Sequence, residues 1–349
     1  MAEHPGVQLI GSVAMSDAES VFRTLATKLG PWLKRLPDGE TGPRKYWIFW
    51  QRTMLRQHPA MEIDPTVPPL QFVQWDGKLV REIPGLRFKA DVDPATVVFD
   101  TGYAPAAIES YATFRRLRDA GVIPEWVRFQ VSLPTPMAPG FLYISPKAFA
   151  QFLPPYERAI ISALDAIAAE IPHGDLAIQW DVCQEVLAFE NYVLAQPADT
   201  REQVFAELAR LGNRVPDGVE LGYHLCYGSP QDEHLLQPRD MGVMVEIANG
   251  FIPRLTHRLD FLHLPVPRPR SDAAYFAPLK RLKLPPQTTL YLGLIHHGDA
   301  AGDQARIAAA KTAVTRFGIA SECGWGRGDP ARVPGMIAAH RDAAESLAF

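Results

Sequence analysis

The stretch "VELGYHLCYGSP" sets His224 and Cys226 two positions apart inside an apolar run. Successive side chains of a β-strand alternate between faces, so this imidazole and this thiol would share one face. A nitrogen and a sulfur donor side by side make half of a zinc site, because zinc takes Cys and His ligands tetrahedrally and needs no redox partner. Further metal-competent side chains recur toward the carboxyl terminus: His263 in "DFLHLPVP", Cys323 in "IASECGWGRG", and His296 with His297 in "GLIHHGD". His224, Cys226, His263 and Cys323 together form the expected ligand set. A free thiol is mostly protonated at neutral pH. Coordination to zinc deprotonates it and gives a held nucleophile that can attack an alkyl carbon. Four protein ligands normally mean a closed site, so catalysis would require one of them to yield or the thiol to enter as a fifth.

The elements that must bring these residues together are legible as an alternation. Short apolar runs ("VQLIGSV", "TVVFDTG", "VRFQVSLP", "LAIQWDV", "VELGYHLCY", "RLDFLHLPV", "TLYLGLI", "GIASECG") are separated by segments with apolar residues at helical spacing, such as "DAESVFRTLATKL" and "TREQVFAELARLG". Ser16, Ser145 and Thr200 are expected helix caps. "DMGVMVEIANGFIPRL" reads as a helix with Glu246 on the stripe opposite its apolar face. Strand and helix alternating eight times predict a parallel sheet closed into a (β/α)8 TIM barrel, a single domain over residues 1–349, with an open doubly wound sheet as the alternative. No G-x-G-x-x-G follows the first run and no Walker-type glycine loop occurs. In a barrel the site lies at the carboxyl ends of the strands, which is where His224, Cys226, His263 and Cys323 fall.

Composition bounds the partners. A formal charge of -4 over 349 residues gives no electrostatic argument for nucleic acid or for an anionic membrane, and 47% hydrophobic with 21% charged residues is ordinary for a globular protein. No leader-like or membrane-spanning stretch is read in the sequence, and three cysteines do not suggest a disulfide framework. The expectation is a cytoplasmic protein acting on small molecules. Cys183 is read as a buried thiol, and the glycines of "GWGRGDP" as permitting a tight turn or cradling an anion through backbone N–H groups.

The motif H-x-C-Y at His224, Cys226 and Tyr227, followed near the end by C-G at Cys323 and Gly324, resembles the zinc-bearing catalytic domain of cobalamin-independent methionine synthase, in the barrel superfamily that also includes uroporphyrinogen decarboxylase. The resemblance extends to "LIGS" (Ser12), "DGETGPR" (Glu40) and "AIQWD" (Asp181). It implies that Ser12, Glu40 and Asp181 hold the amino-acid part of the thiol substrate, with Asp181 also in the catalytic set, and that either His296 or His297 takes the place of the family's proposed proton donor. Glu40 and Asp181 are alternatively structural carboxylates paired with arginines such as Arg44. The sequence departs from the family in two places. The family's sixth-strand ligand is a glutamate where this chain offers His263, with Glu246 the only glutamate nearby, and its Asp-Glu-Pro after the fourth strand is "DVC" here. The expected activity is zinc-dependent alkyl transfer, most simply methyl, from an alkyl donor to a thiol. The alternatives are zinc-dependent addition of a thiol to an epoxide, a related lyase or transferase reaction, and a metal-stabilised binding protein without turnover.

Overall fold

The computed structural model describes residues 6–192, 199–230 and 233–347. In chain order its strands are β1 (Val7–Gln8), β2 (Arg35–Pro37), β3 (Met61–Ile63), β4 (Leu70–Val73), β5 (Leu79–Ile83), β6 (Leu86–Phe88), β7 (Arg128–Pro134), β8 (Leu176–Val182), β9 (Glu220–Leu225), β10 (Phe261–Pro265), β11 (Thr289–Ile295) and β12 (Gly318–Ser321). Eight of them form one parallel sheet in the order β1-β12-β11-β10-β9-β8-β7-β2. A parallel bridge between Val7 and Leu33 brings the two edges together, so the sheet is a nearly closed (β/α)8 barrel. Helices follow the barrel strands, among them Ala18–Leu29, Tyr103–Asp119, Phe149–Glu170, Thr200–Gly212, Gly242–Phe251, Ala300–Lys311 and Val333–Ser346. Each lays an apolar stripe on the sheet; in the first, Val21, Phe22, Leu25 and Leu29 are buried at the 3.6-residue period. No helix among the described residues is long and apolar enough to cross a membrane.

Seven of the eight apolar runs become barrel strands, and the exception has a physical reason. "TVVFDTG" is not a strand: Asp93 caps a short 3-10 turn over Pro94–Thr96, and Val98 is 81% exposed. The second barrel strand is instead "RLP", whose Arg35 points inward, lies 4.0 Å over the Phe261 ring and pairs with Glu220 at 2.6 Å. A short strand that buries an arginine carries no apolar signature. The caps also shift: Asp17, not Ser16, accepts the Ser20 N–H, and Thr200 is the first helical residue, not the cap. The helix reading of "DMGVMVEIANGF" holds, with Glu246 exposed and paired to Arg201 at 2.6 Å.

Two features of the frame shape the mouth. The barrel floor is polar: Gln8, Gln130 and Gln179 are buried and bonded to one another, and Gln179 Nε2 donates to the Ile10 carbonyl (2.7 Å) and to Asp181 Oδ1 (2.8 Å). Above the opposite rim, residues 61–88 form two antiparallel ribbons, β3 with β6 and β4 with β5. The Tyr192 hydroxyl accepts from the Val73 N–H at 3.0 Å and ties the β4–β5 ribbon to the barrel.

Immediately past β8, Glu185 is fully buried with the Thr135 hydroxyl beside its carboxyl group, and Glu207 lies next to it. Burial raises Glu185 to about 7, and burial together with Glu185 raises Glu207 to about 8. Unfolding therefore releases protons between the ordinary carboxylate range and these values, and stability falls as pH rises through that window. The buried neutral histidines His224 and His263 act in the opposite sense below about pH 6.5, so the test is a difference: in urea titrations from pH 5 to pH 9 the wild type should lose on the order of 2–3 kcal/mol relative to Glu185→Gln.

Candidate metal centre at the barrel mouth

Register sets the first row of the site. Asp181 of β8 pairs with His224 of β9, and His224 pairs with His263 of β10, so the three side chains leave the sheet on the same side in one layer at the carboxyl ends of their strands. Cys226 lies one residue beyond β9, its N–H bonded to the Val182 carbonyl at 2.9 Å. Cys323 lies two residues beyond the end of β12. The Sγ atoms of Cys226 and Cys323 are 3.9 Å apart, and His224 Nε2 is 3.9 Å from Cys323 Sγ. The donor atoms of His224, Cys226 and Cys323 all lie within 4.8 Å of one another. Tetrahedral bonds of roughly 2.3 Å would put two sulfurs about 3.8 Å apart, so the pair is spaced as zinc ligands require. The donors suit the same ion: two thiols and an imidazole, buried where a cation would replace their protons.

His263 does not complete this set. It is fully buried, its Nδ1 is 2.7 Å from His224 Nδ1 and its Nε2 is 3.0 Å from the Ser321 carbonyl. Both ring nitrogens are engaged, and the ring stands behind His224. Glu246 is exposed on the outer helix. Three protein donors are thus gathered, and the tension of a closed four-ligand site disappears.

The electrostatics follow from desolvation. The adjoining Cys226 sulfur and burial raise Cys323 to about 12, against the opposing effect of Arg327, whose Nη2 donates to Cys323 Sγ at 3.1 Å. Cys226 is raised first by its contact with the Cys183 thiol, although the Gly228 N–H donates to its sulfur at 3.3 Å. Burial lowers His224 to about 4 and His263 to about 3, so both rings are neutral.

The substrate-binding candidates line a narrow pocket of about 50 Å³ beside the sulfurs: Ser12, Glu40 and Asp181, walled by Trp47, Phe49, Phe72 and Leu142. Arg44 does not neutralise Glu40 directly; it pairs with Asp38 at 2.6 Å. Burial, then Asp181, raises Glu40 well above the carboxylate range, and burial raises Asp181 to about 8. Cys183, 3% exposed, lines the same pocket. On the other side of Cys323 a wider cavity of about 820 Å³ is lined by His234, His296, His297, Glu322 and Trp325. His296 is buried, with Nε2 2.9 Å from the Val266 carbonyl and Nδ1 3.8 Å from Glu322; His297 is exposed at the rim. Burial opposes ionisation of Glu322, but His234, 2.7 Å away, and His296 together hold it at about 2.

Sequence reasoning did not find Glu322, His234 or the role of Arg327. Glu322 had a signal, since it adjoins Cys323; His234 had none beyond its residue type. The "GWGRGDP" loop serves through Arg327 and through the Gly326 N–H, which donates to Ser12 Oγ at 3.2 Å. Gly324 is required by close approach: a Cβ there would lie 2.4 Å from Ser12 Oγ and 2.9 Å from Ser12 N. Gly324→Ala should therefore push the Cys323 turn away from β1, lower stability by about 1–3 kcal/mol in urea unfolding, and weaken cation binding.

No protein-family description and no curated protein matches the sequence. Solved structures do. A putative vitamin-B12 independent methionine synthase from Listeria monocytogenes is 14% identical, matched over 95% of this chain and 86% of that one, with a TM-score of 0.53. A B12-independent methionine synthase from Shewanella sp. W3-18-1, solved in complex with selenomethionine, is 12% identical over 98% and 97% with a TM-score of 0.61. A methyltransferase from Methanosarcina mazei is 12% identical over 100% and 95% with a TM-score of 0.59. At such identities the likeness is one of fold, and the structural neighbours of this barrel are B12-independent methionine synthase-like and methyltransferase proteins.

Proposed function

We propose that the chain is a zinc-dependent transferase that moves an alkyl group, most simply methyl, from a small-molecule donor to the sulfur of an amino-acid thiol. The observation that carries this reading is the gathering of His224, Cys226 and Cys323 within one ion's reach at the carboxyl face of the barrel, where all three line the narrow pocket and Cys323 also reaches the wider cavity. A zinc ion held by these three residues would supply the Lewis acidity that lets a thiol ionise near neutral pH. Three protein ligands leave room for the substrate sulfur.

The chain's own residues supply position and charge. The narrow pocket has two carboxyl groups, Glu40 and Asp181, whose desolvation is relieved by a cation such as the substrate ammonium, and Ser12 adds a hydroxyl. The selenomethionine bound by the Shewanella relative fits an amino acid with a chalcogen side chain, and this chain is proposed to take the same class. Aromatic and aliphatic walls from Trp47, Phe49 and Phe72 exclude water from the sulfur. The alkyl donor enters the wider cavity. Attack of the sulfur on the alkyl carbon breaks that carbon's bond to the leaving group, which takes a proton there. That proton is the one the thiol gave up on ionising, and His296 is placed to relay it: its Nε2–H is anchored to the Val266 carbonyl, and burial leaves its Nδ1 unprotonated on the side of Glu322. His297 stands at the rim, too exposed for a tuned donor.

Elemental analysis of purified protein should give one zinc per chain, lost in Cys226→Ser and Cys323→Ser, and homocysteine should change the metal's X-ray absorption edge. Chelation should leave the fold in place. Zinc loss that unfolds the protein, with no response to thiols, would instead favour a metal-stabilised binding protein. A second expectation concerns pH. Asp181 titrates at about 8 and must ionise to hold an ammonium, so the affinity for L-methionine as a thiol-free probe should rise from pH 6 to pH 8 and then level. In Asp181→Asn the affinity should be at least about tenfold weaker, the scale of one lost charge-assisted contact, and the rise much reduced.

A further inference from the structure

His263 occupies the position where a fourth ligand is expected, and the structure gives it another task. We propose that His263 is a positioning residue: the Ser321 carbonyl fixes its tautomer, its tautomer fixes that of His224, and His224 Nε2 is thereby left as a bare lone pair facing Cys323. The inference rests on the cation-binding reading of His224, Cys226 and Cys323 and extends it to the residue that prepares the imidazole.

The argument is one of donors and acceptors. A backbone carbonyl only accepts, so the His263 nitrogen 3.0 Å from Ser321 O, Nε2, carries the hydrogen. A neutral imidazole has one N–H, so His263 Nδ1 is an acceptor. It lies 2.7 Å from His224 Nδ1, a distance that demands a hydrogen between them, and that hydrogen belongs to His224. His224 is then the Nδ1–H tautomer, with Nε2 unprotonated 3.9 Å from Cys323 Sγ. Both rings are buried, and among the described residues neither is ion-paired to a carboxylate, so a second proton on either would be an uncompensated buried charge. The reverse arrangement sets the His263 Nε2 lone pair against the Ser321 carbonyl and directs a His224 N–H at the sulfurs. It forfeits a buried hydrogen bond and blocks the ion at once.

Geometry supports a built device. His263 and His224 are register partners on neighbouring strands, which brings their rings to a centroid distance of 4.7 Å, and Ser321 is the last residue of β12, two before Cys323. The carbonyl that sets the tautomer is therefore on the segment that delivers the second sulfur.

The test needs no substrate. Long-range 1H–15N NMR on the metal-free, reduced wild-type protein should show His224 and His263 neutral, His224 protonated on Nδ1 and His263 on Nε2. Zinc and cobalt(II) affinities, measured by competition with a chromophoric chelator, should fall about 10- to 100-fold in His263→Leu, the scale of a lost outer hydrogen-bond partner. His263→Gln, whose amide offers an acceptor to His224 and a donor to Ser321, should stay within about threefold of wild type. Thermal unfolding of the metal-free variants separates packing from positioning, since a packing role would move stability without separating Leu from Gln in affinity. Three results would each overturn the proposal: a His224 Nε2–H in the wild type, wild-type affinity in a folded His263→Leu, or a single-histidine change in the cobalt spectrum showing His263 itself as a ligand. Failure of the wild type to bind either metal would overturn the metal reading itself and leave the tautomer assignment to the NMR result.

Discussion

The hydrogen bonds of Ser321 decide where the second sulfur stands. Its hydroxyl donates to the Cys323 carbonyl at 2.7 Å and accepts from Trp325 Nε1 at 2.6 Å, while its backbone carbonyl receives His263. The end of β12 is thereby folded into a tight turn that aims Cys323 across the barrel toward β9. Ser12 closes the turn from the other side, its carbonyl accepting from the Trp325 N–H at 2.6 Å. The glycine at 324 exists because there is no room between these contacts for a side chain. Remove this turn and the His224–Cys226 pair on β9 remains only half of a site.

The reach of sequence reasoning follows the same division. Alternating side chains on a strand are a property of the backbone, so the common face of His224 and Cys226 and the carboxyl-end location of His224, His263 and Cys323 could be read from spacing. The direction of an imidazole's nitrogens could not. It depends on rotation about the side-chain bonds and on which acceptor waits nearby, and for His263 that acceptor is a carbonyl 58 residues away. The strand "RLP" was illegible for a related reason, since its inward arginine is satisfied by Glu220, 185 residues distant, and by the Phe261 ring. Interactions with remote partners override local pattern at the places where the barrel is polar inside.

Polarity inside the barrel also explains how Asp181 can sit beside two thiols. Gln179 donates to it from the layer below and is itself held by the Ile10 carbonyl, so the carboxyl group is oriented without a cationic partner. Arg44, the obvious candidate to neutralise the pocket, is drawn off by Asp38, which also accepts from Ser110 at 2.7 Å. Arg327 lines the same pocket, but it is directed at Cys323 and at the Ser229 and Gly324 carbonyls. Charge at the mouth is thus partitioned: arginine to sulfur, amide to carboxyl.

What remains is a set of acids raised together. Glu40, Asp181, Cys226 and Cys323 line one pocket: burial raises the two carboxyl groups, and contact with a neighbouring thiol raises each of the two sulfurs, against the opposing effect of Arg327 on Cys323. Two kinds of cation fit, an ion between the sulfurs and an ammonium between the carboxyl groups, and they are not independent. A Cys323 thiolate by itself raises Asp181, which works against ammonium binding. A doubly charged ion held by both sulfurs would cancel that repulsion, so beside it the carboxyl group would ionise more readily than beside a bare thiolate, and the amino end of a substrate would bind more tightly. Favourable coupling of this kind is reciprocal, because whatever strengthens ammonium binding when the ion is present must strengthen the ion when the ammonium is present. Linkage of this kind sets no order of binding: in a pocket that buries two carboxyl groups beside two thiols, each cation would strengthen the hold on the other.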